Sequence, residues 1–391
     1  MKFDYLALLV IVLFGILIFI FPPFVASVNV PVYVRFPLLF FITVFFVSIT
    51  FKRKKFLNTY GYYILFFIFE IGYWFVKGSI TIGHTAYFFI YILLSFSLLS
   101  GIHRISGSKE LMRNLFFLIV IVFSALSILS FLAYNFELLP YEMEQIGDEG
   151  YYNNFYNPLL GYISIKKFEF GTIGRVCGYL LEPSYLGWFL SVNYFLVENY
   201  VQKRKYIIIC RIVVFLGAMA TCSTMAWIVI PLVLMIKFFY KIMAIFHVRN
   251  RTTNMILGIG SMALLLMFLT IVPKEKLIES LGTSSADDRE ERADASFLLI
   301  GTSSVPDLLF GRSPGYIESN FDKGESNQIV KLIVETGLLS TVMILIFVIN
   351  CTKRSKYFMI ANLLFLNSVV VLLTPLFILN ILVCKWTDEQ D

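Results

Sequence analysis

The sequence predicts an all-α integral membrane protein: one polytopic domain over residues 1–391, with 11–12 transmembrane helices and two large loops on the outer face. Three observations carry this. Hydrophobic residues make up 58% of the 391 residues and charged residues only 15%, with a mean hydropathy of +0.80, far from the balance of a soluble domain. Apolar runs near the spanning length of roughly 20 residues recur along the whole chain. These runs are continuous rather than alternating, which excludes a spanning β-barrel.

Taken in order, the run from about Tyr5 to Phe21 lacks a small-residue cleavage site and leads straight into another apolar run. It reads as a retained first helix rather than a signal peptide. Spans two to five are expected at about 32–51, 58–76, 82–100 and 114–134, with turns marked by Pro22-Pro23, Pro31 and Lys77-Gly78. The first large loop, 135–174, carries Glu137, Glu142, Glu144, Asp148, Glu149 and tyrosines interleaved with asparagine, without helical periodicity. Such rings beside amides and carboxylates suit stacking on sugars. Span six is expected at about 176–197. The stretch 206–240 is too long for one helix, and Thr221-Cys222-Ser223-Thr224 divides it into spans seven and eight. Span nine is expected at about 253–272, then the second large loop, 273–325, and span ten at about 326–349. The last stretch, 357–384, holds Thr374-Pro375 and forms either one kinked helix or a hairpin of two short ones.

The net charge of +6 does not indicate nucleic acid, because the basic residues form five short tracts at span ends. They are Lys52 to Lys55, His103 to Arg113, Lys203 to Lys205, Lys237 to Arg251, and Lys353 to Lys356. Each follows an even number of spans, so one topology puts all five, and the N-terminus, in the cytoplasm. The five cysteines show no Cys-x-x-Cys spacing, and the three histidines are widely separated. Neither a zinc site nor a disulfide scaffold is indicated. There is no Asp-x-Asp pair, and no cofactor or metal is expected.

Both large loops fall on the outer face, and the candidate chemistry gathers there. Arg175, Gly178 and Glu182 are spaced i, i+3, i+7, which on a helix shares one face. Pro183 fits a first helical turn better, so 171–182 can instead be a glycine-punctuated entry segment. In the second loop Ser285 to Asp288 has the form of a capping box, opening a helix with Arg289 and Arg292 on one face. Glu290, Glu291 and Asp294 can equally pair with these arginines. Leu309 to Tyr316 is a tight turn presenting Arg312 and Tyr316. Asn327, Lys331 and Glu335 recur every four residues in span ten. Glu335 lies well inside the membrane, where a carboxylate needs a partner, and Lys331 is the candidate. Gly337 allows close approach of another helix. Glu70 in span three lies nearer the interface and is the weaker case, expected to be solvated.

With these residues in view, the chain resembles the O-antigen polymerase and ligase superfamily, the Wzy-type polymerases of bacterial surface polysaccharide. The resemblance is one of layout over nearly the full length, with three short motifs. These are Arg175, Gly178, Glu182 and Pro183 entering a span, then Asp307-Leu-Leu-Phe-Gly311 with Gly315, and last Asn327 followed by Val334-Glu335-Thr336-Gly337-Leu338-Leu339. Ligases of this superfamily typically carry a histidine near the start of the last helix. This chain has Ser326 and Asn327 there and no histidine in either outer loop, which favours a polymerase.

The resemblance implies an inner-membrane glycosyltransferase acting on undecaprenyl-diphosphate-linked oligosaccharides. The growing glycan is transferred to the non-reducing end of another lipid-linked repeat unit. It implies catalytic roles for Arg175 and one of Arg289 or Arg292 at the diphosphate, with Glu335 or Glu182 as proton acceptor. Arg312, Asn327, Lys331, Tyr179 and Tyr316 are the candidate substrate-binding residues. Membrane lipid and a chain-length regulator are the other expected partners. A ligase and a lipid-linked oligosaccharide flippase are the alternatives. A flippase is expected to show ionisable residues at depth or broken helices in related halves.

Overall fold

The computed structural model describes residues 5–51, 54–101, 108–146, 152–168, 171–201, 203–245, 297–320, 327–366, 368–372 and 374–388. The chain is mostly helical. Among the described residues five helices are long and apolar enough to cross a membrane: Val32–Thr50, Ile82–Leu99, Glu110–Asn135, Thr224–Lys241 and Gln328–Thr352. The first four elements are α1 (Tyr5–Ile20), α2 (Ala26–Asn29), α3 (Val32–Phe51) and α4 (Lys54–Lys77). They are followed by α5 (Ile82–Gly101) and α6 (Ser108–Asn135). These match spans one to five within a few residues, because continuous apolar runs can satisfy their backbone in lipid only as helices.

The first loop departs from the expected irregular segment. It folds as an antiparallel sheet in the order β1-β2-β3-β4, formed by β1 (Glu142–Ile146), β2 (Tyr152–Asn157), β3 (Gly161–Phe168) and β4 (Gly171–Gly178). The all-α expectation therefore holds for the apolar spans and not for this loop. The sheet sits on the end of α6. The Asn135 side-chain amide donates to the Gly174 carbonyl and its oxygen accepts from the Gly174 N–H. Gly174 has no side chain because the Tyr134 ring occupies the place of a Cβ.

Span six is also corrected. The helix is α7 (Pro183–Tyr194) rather than 176–197, with Pro183 in its first turn. At 1.5 Å per residue, 12 residues reach about 18 Å, short of a core of roughly 30 Å. α8 (Val197–Tyr200), α9 (Arg204–Ala220) and α10 (Thr224–Ile245) follow, with the break where Thr221 to Thr224 placed it. α9 packs closely on α6: a Cβ on Gly217 would meet the Ser124 backbone, and the Ser127 hydroxyl donates to the Gly217 carbonyl at 2.8 Å. Span nine lies outside the described residues.

The remaining elements are α11 (Val305–Phe310), α12 (Tyr316–Asn320), α13 (Gln328–Thr352), α14 (Lys356–Phe365) and α15 (Pro375–Asp388). The last stretch is thus a pair of short helices. Four polar contacts join these elements to one another and to α7 around the core. The Trp188 indole N–H donates to Asn362 Oδ1 at 3.0 Å. The Asn193 amide donates to Asn380 Oδ1 at 2.7 Å. At the start of α13, the Gln328 N–H donates to the Leu366 carbonyl at 3.0 Å, and the Gln328 side chain accepts from the Leu372 N–H.

Candidate functional site

One broken helix organises the site. Within α13, Gly337 has φ 78° and ψ 169°, a region essentially confined to glycine. In an unbroken helix the Val334 and Glu335 carbonyls would accept from amides four residues on. Instead the Arg312 N–H donates to the Val334 carbonyl at 3.0 Å and the Ser313 N–H to the Glu335 carbonyl at 2.9 Å. The strap 311–316 thus satisfies carbonyls that a bilayer would leave unpaired. Two glycines allow this approach: a Cβ on Gly311 would collide with the Glu335 carbonyl, and one on Gly337 with the Leu309 carbonyl. Gly337 therefore admits a strap of backbone, where close approach of a helix was expected.

α4 and α5 hold the strap from the other side. Lys77 forms an ion pair with Asp307, whose carboxylate also accepts from the Tyr73 hydroxyl at 3.2 Å. The Trp74 indole donates to the Phe310 carbonyl at 2.7 Å. The Ser313 hydroxyl donates to the Ser79 carbonyl at 2.6 Å, and the Thr81 hydroxyl donates to the Pro314 carbonyl. Partial burial acts to raise the Asp307 carboxyl, but Lys77 and the Ser304 hydroxyl outweigh it and hold it below the usual carboxylate range. Glu70, expected to be solvated, is 0% exposed and accepts a hydrogen bond from the Ser340 hydroxyl. Ser340 lies three residues past the break, so Glu70 of α4 packs on α13 just beyond it.

Glu335 is 5% exposed. Its Oε1 accepts the Ile317 N–H at 3.3 Å, and the Gly315 N–H and the Glu318 carboxyl also hydrogen-bond to it. Two amides, from Gly315 and Ile317, thus converge on one buried carboxyl. Lys331, expected to partner Glu335, instead forms its ion pair with Glu318. Glu318 comes from α12 and lies nearer the ammonium, and Lys331 acts on Glu335 only as a neighbouring charge. Burial acts to raise the Glu318 carboxyl, but Lys331 and the hydrogen bond from Glu335 outweigh it and hold it below its ordinary value. The Arg312 guanidinium lies over the Tyr316 ring, 5.1 Å from its centroid. It donates to the Tyr316 hydroxyl at 3.0 Å and to Ser303 Oγ at 3.2 Å. Asn327 caps α13, its side-chain oxygen accepting from Ile329 N and Val330 N at 3.0 and 3.2 Å.

The second group of candidates is carried by the sheet. Arg175 lies in β4, opposite Ser164 of β3, and its Nε donates to the Cys222 carbonyl at 3.2 Å. The Arg175–Gly178–Glu182 helical face is therefore overturned. Residues 171–178 are extended, and Glu182 stands at φ −139° before α7. The entry-segment alternative describes the chain path, with a strand in place of a loop. The Glu182 carboxylate accepts from the Ser184 hydroxyl at 2.7 Å, and the Tyr179 hydroxyl donates to the Pro158 carbonyl at 3.0 Å. Burial pushes the adjacent Cys177 thiol up to about 12, with Arg175 opposing it, which leaves no thiolate for nucleophilic work.

The structure thus brings Glu335, Lys331, Arg312, Tyr316 and Asn327 to one broken helix and its strap. It puts Arg175, Tyr179 and Glu182 at the β4–α7 junction. Arg289, Arg292 and the capping pattern before them lie outside the described residues. Sequence reasoning missed Glu318, which the strap delivers to Glu335, and His84, whose ring packs against Gly315. No periodicity could have linked either to the site, because both arrive from other elements. Among the described residues no group of three or more His, Cys, Asp or Glu is arranged to hold a metal ion. Comparison with protein families, characterised proteins and solved structures finds no match.

Proposed function

We propose that the chain is a polymerase of lipid-linked oligosaccharide repeat units in the bacterial inner membrane. In this reading it has 11–12 spans, a cytoplasmic N-terminus, and both large loops on the periplasmic face. The growing glycan leaves undecaprenyl diphosphate for the non-reducing end of another undecaprenyl-diphosphate-linked unit. One observation carries the reading. A carboxyl pair with a lysine beside it is built into the end of a membrane helix, against a strap that also carries Arg312 and is anchored by Lys77, Thr81 and Trp74.

The chemistry follows from those groups. A glycosyl transfer from a lipid diphosphate needs cations for the leaving group and an acceptor for the hydroxyl proton. Guanidinium groups stay protonated and bond phosphate oxygens in pairs, which suits Arg175 with Arg289 or Arg292. A carboxylate in the Glu335 cluster, or Glu182, takes the proton.

Two observations favour the alternatives. His84 against Gly315 supplies an imidazole beside the strap, as a ligase would use. The break at Gly337 and the buried Glu70 are features of a flippase.

The test is the surface polysaccharide of a deletion strain, with and without the wild-type gene. Core bearing a single repeat unit, restored to a ladder by the gene, supports polymerisation. Polymer retained on the lipid carrier points to a ligase, and repeat units trapped inside point to a flippase.

A further inference from the structure

We propose that Glu318, not Glu335, accepts the proton of the attacking sugar hydroxyl, with Glu335 behind it as a positioning residue that carries the shared proton. This rests on the polymerase reading and sharpens it. The two carboxyls differ in access: the Glu318 side chain is 37% exposed, whereas Glu335 is 5% exposed. Only Glu318 can be approached by a substrate hydroxyl without moving the strap.

The hydrogen bonding divides the roles in the same way. Two carboxyls that hydrogen-bond to each other need one proton between them, since an ionised carboxylate only accepts. Lys331 forms its ion pair with Glu318, so the negative charge belongs on Glu318 and the proton on Glu335. Glu335 Oε1 is already an acceptor for the Ile317 N–H, which leaves its other oxygen to donate to Glu318. The arrangement is a carboxyl dyad whose degeneracy is broken by one ammonium. Besides the pair itself, Lys331 is the charge that acts on it; Arg312 is turned to Tyr316 and Ser303 on the strap, and His84 from α5 packs at Gly315.

In the step itself, the acceptor hydroxyl oxygen forms a bond to the anomeric carbon as the anomeric carbon–oxygen bond to the diphosphate breaks. The electron pair leaves on the lipid diphosphate, and the hydroxyl proton passes to the Glu318 carboxylate. Glu335 keeps its proton throughout. It holds the Glu318 carboxylate in place, and Lys331 keeps that carboxylate ionised at neutral pH.

The two glutamates make opposite predictions under conservative substitution. The full-length protein is reconstituted in vesicles with lipid-linked repeat units isolated from the deletion strain, and polymer formation is followed against pH. Glu318→Gln should lose about 100-fold or more, the range of a lost general base. Glu318→Asp should recover part of that activity. Glu335→Gln, whose amide can donate the same hydrogen bond, should stay within about tenfold of wild type. Lys331→Met should move the acid limb of the pH profile to higher pH, because the Glu318 carboxyl loses the cation that lowers it. Loss of activity in Glu335→Gln with retention in Glu318→Gln would overturn the assignment, as would full activity in both. Wild-type protein that makes no polymer from these units sinks the polymerase reading itself.

Discussion

Gly337→Ala should detach the strap from α13, and the size of the effect can be worked out from the backbone. A non-glycine residue at φ 78°, ψ 169° costs about 1–3 kcal/mol. The added Cβ also meets the Leu309 carbonyl, a backbone atom that no rotamer change moves aside. The relaxed alternative is a continuous helix, in which the Val334 and Glu335 carbonyls take back their own helical amides. The strap then loses two backbone hydrogen bonds, the Arg312 and Ser313 amides, at about 1 kcal/mol net each. Those two bonds are lost on undocking in wild type and variant alike, so the strain sets the shift, about 1–3 kcal/mol against the docked strap. That is roughly one to two orders of magnitude in its population. Amide hydrogen exchange of peptides spanning 311–317, in detergent micelles, reads this directly. Gly301→Ala is the control, since nothing lies within 4 Å of a Cβ there. Protection of the Arg312 and Ser313 amides in Gly337→Ala unchanged from wild type would show that the break does not depend on glycine.

Other perturbations probe the frame and the second group. Arg175→Ala should cost about 2–4 kcal/mol in the barrier, as for a lost electrostatic stabiliser, and abolish the polysaccharide ladder at equal protein abundance. Trp188→Phe leaves the buried Asn362 oxygen without its indole donor; the loss should be about 1–3 kcal/mol, seen as a lower melting temperature in micelles. At the opposite helix ends, Glu198 pairs with Arg211 and Lys237. Partial burial acts to raise its carboxyl, but the two cations outweigh it and hold it below its ordinary 4.5. A lowered carboxyl contributes stability above its ordinary value and loses it as pH falls through the lowered one. Melting temperature should therefore fall below about pH 4.5 in wild type and less steeply in Glu198→Gln. The half-exposed pair limits this to about 0–1 kcal/mol, and an unchanged pH slope would refute it.

How much of this could be read from the chain depends on which interactions carry each feature. Apolar runs fix helices locally, so α3, α5 and the α9–α10 break stood where Val32–Phe51, Ile82–Gly101 and Thr221 to Thr224 put them. The sheet was hidden for a compositional reason. Residues 163–165 do alternate in sequence, with Ser164 between Ile163, which is fully buried, and Ile165, but Gly171, Gly174 and Gly178 read as loop glycines. Two of these glycines have tertiary roles: Gly174 faces the Tyr134 ring, and Gly178 sits at φ 61° where β4 turns towards α7. Lys331 was paired with the wrong acid because spacing along one helix says nothing of an acid arriving from another segment. Glu318 is such an acid. The strap that brings it is held to α13 by backbone amides, which carry no residue identity for a sequence to display.

The break in α13 and the burial of Glu335 require each other. A continuous membrane helix uses all its interior amides on its own carbonyls, so a buried carboxyl on it finds no backbone donors. Opening the helix at Gly337 releases two carbonyls, and these can be satisfied only by bringing in another backbone. The segment that does so arrives with spare amides at Gly315 and Ile317, and they reach Glu335. It also brings Glu318, which takes Lys331. Removing any one member leaves another polar group unpaired in a low-dielectric setting, so the cluster is tolerated only as a set. The far end of the same helix half is fixed as firmly. Gln328 is tied to Leu366 and Leu372, and Asn362 on the intervening α14 is tied to Trp188 of α7. Since α7 begins five residues after Gly178 ends β4, this polar frame joins the strand bearing Arg175 to the helix bearing Glu335. A variant that loosens Trp188–Asn362 should therefore slow polymer formation without touching either group, and a rate unchanged in Trp188→Phe at permissive temperature would show that the two groups work independently.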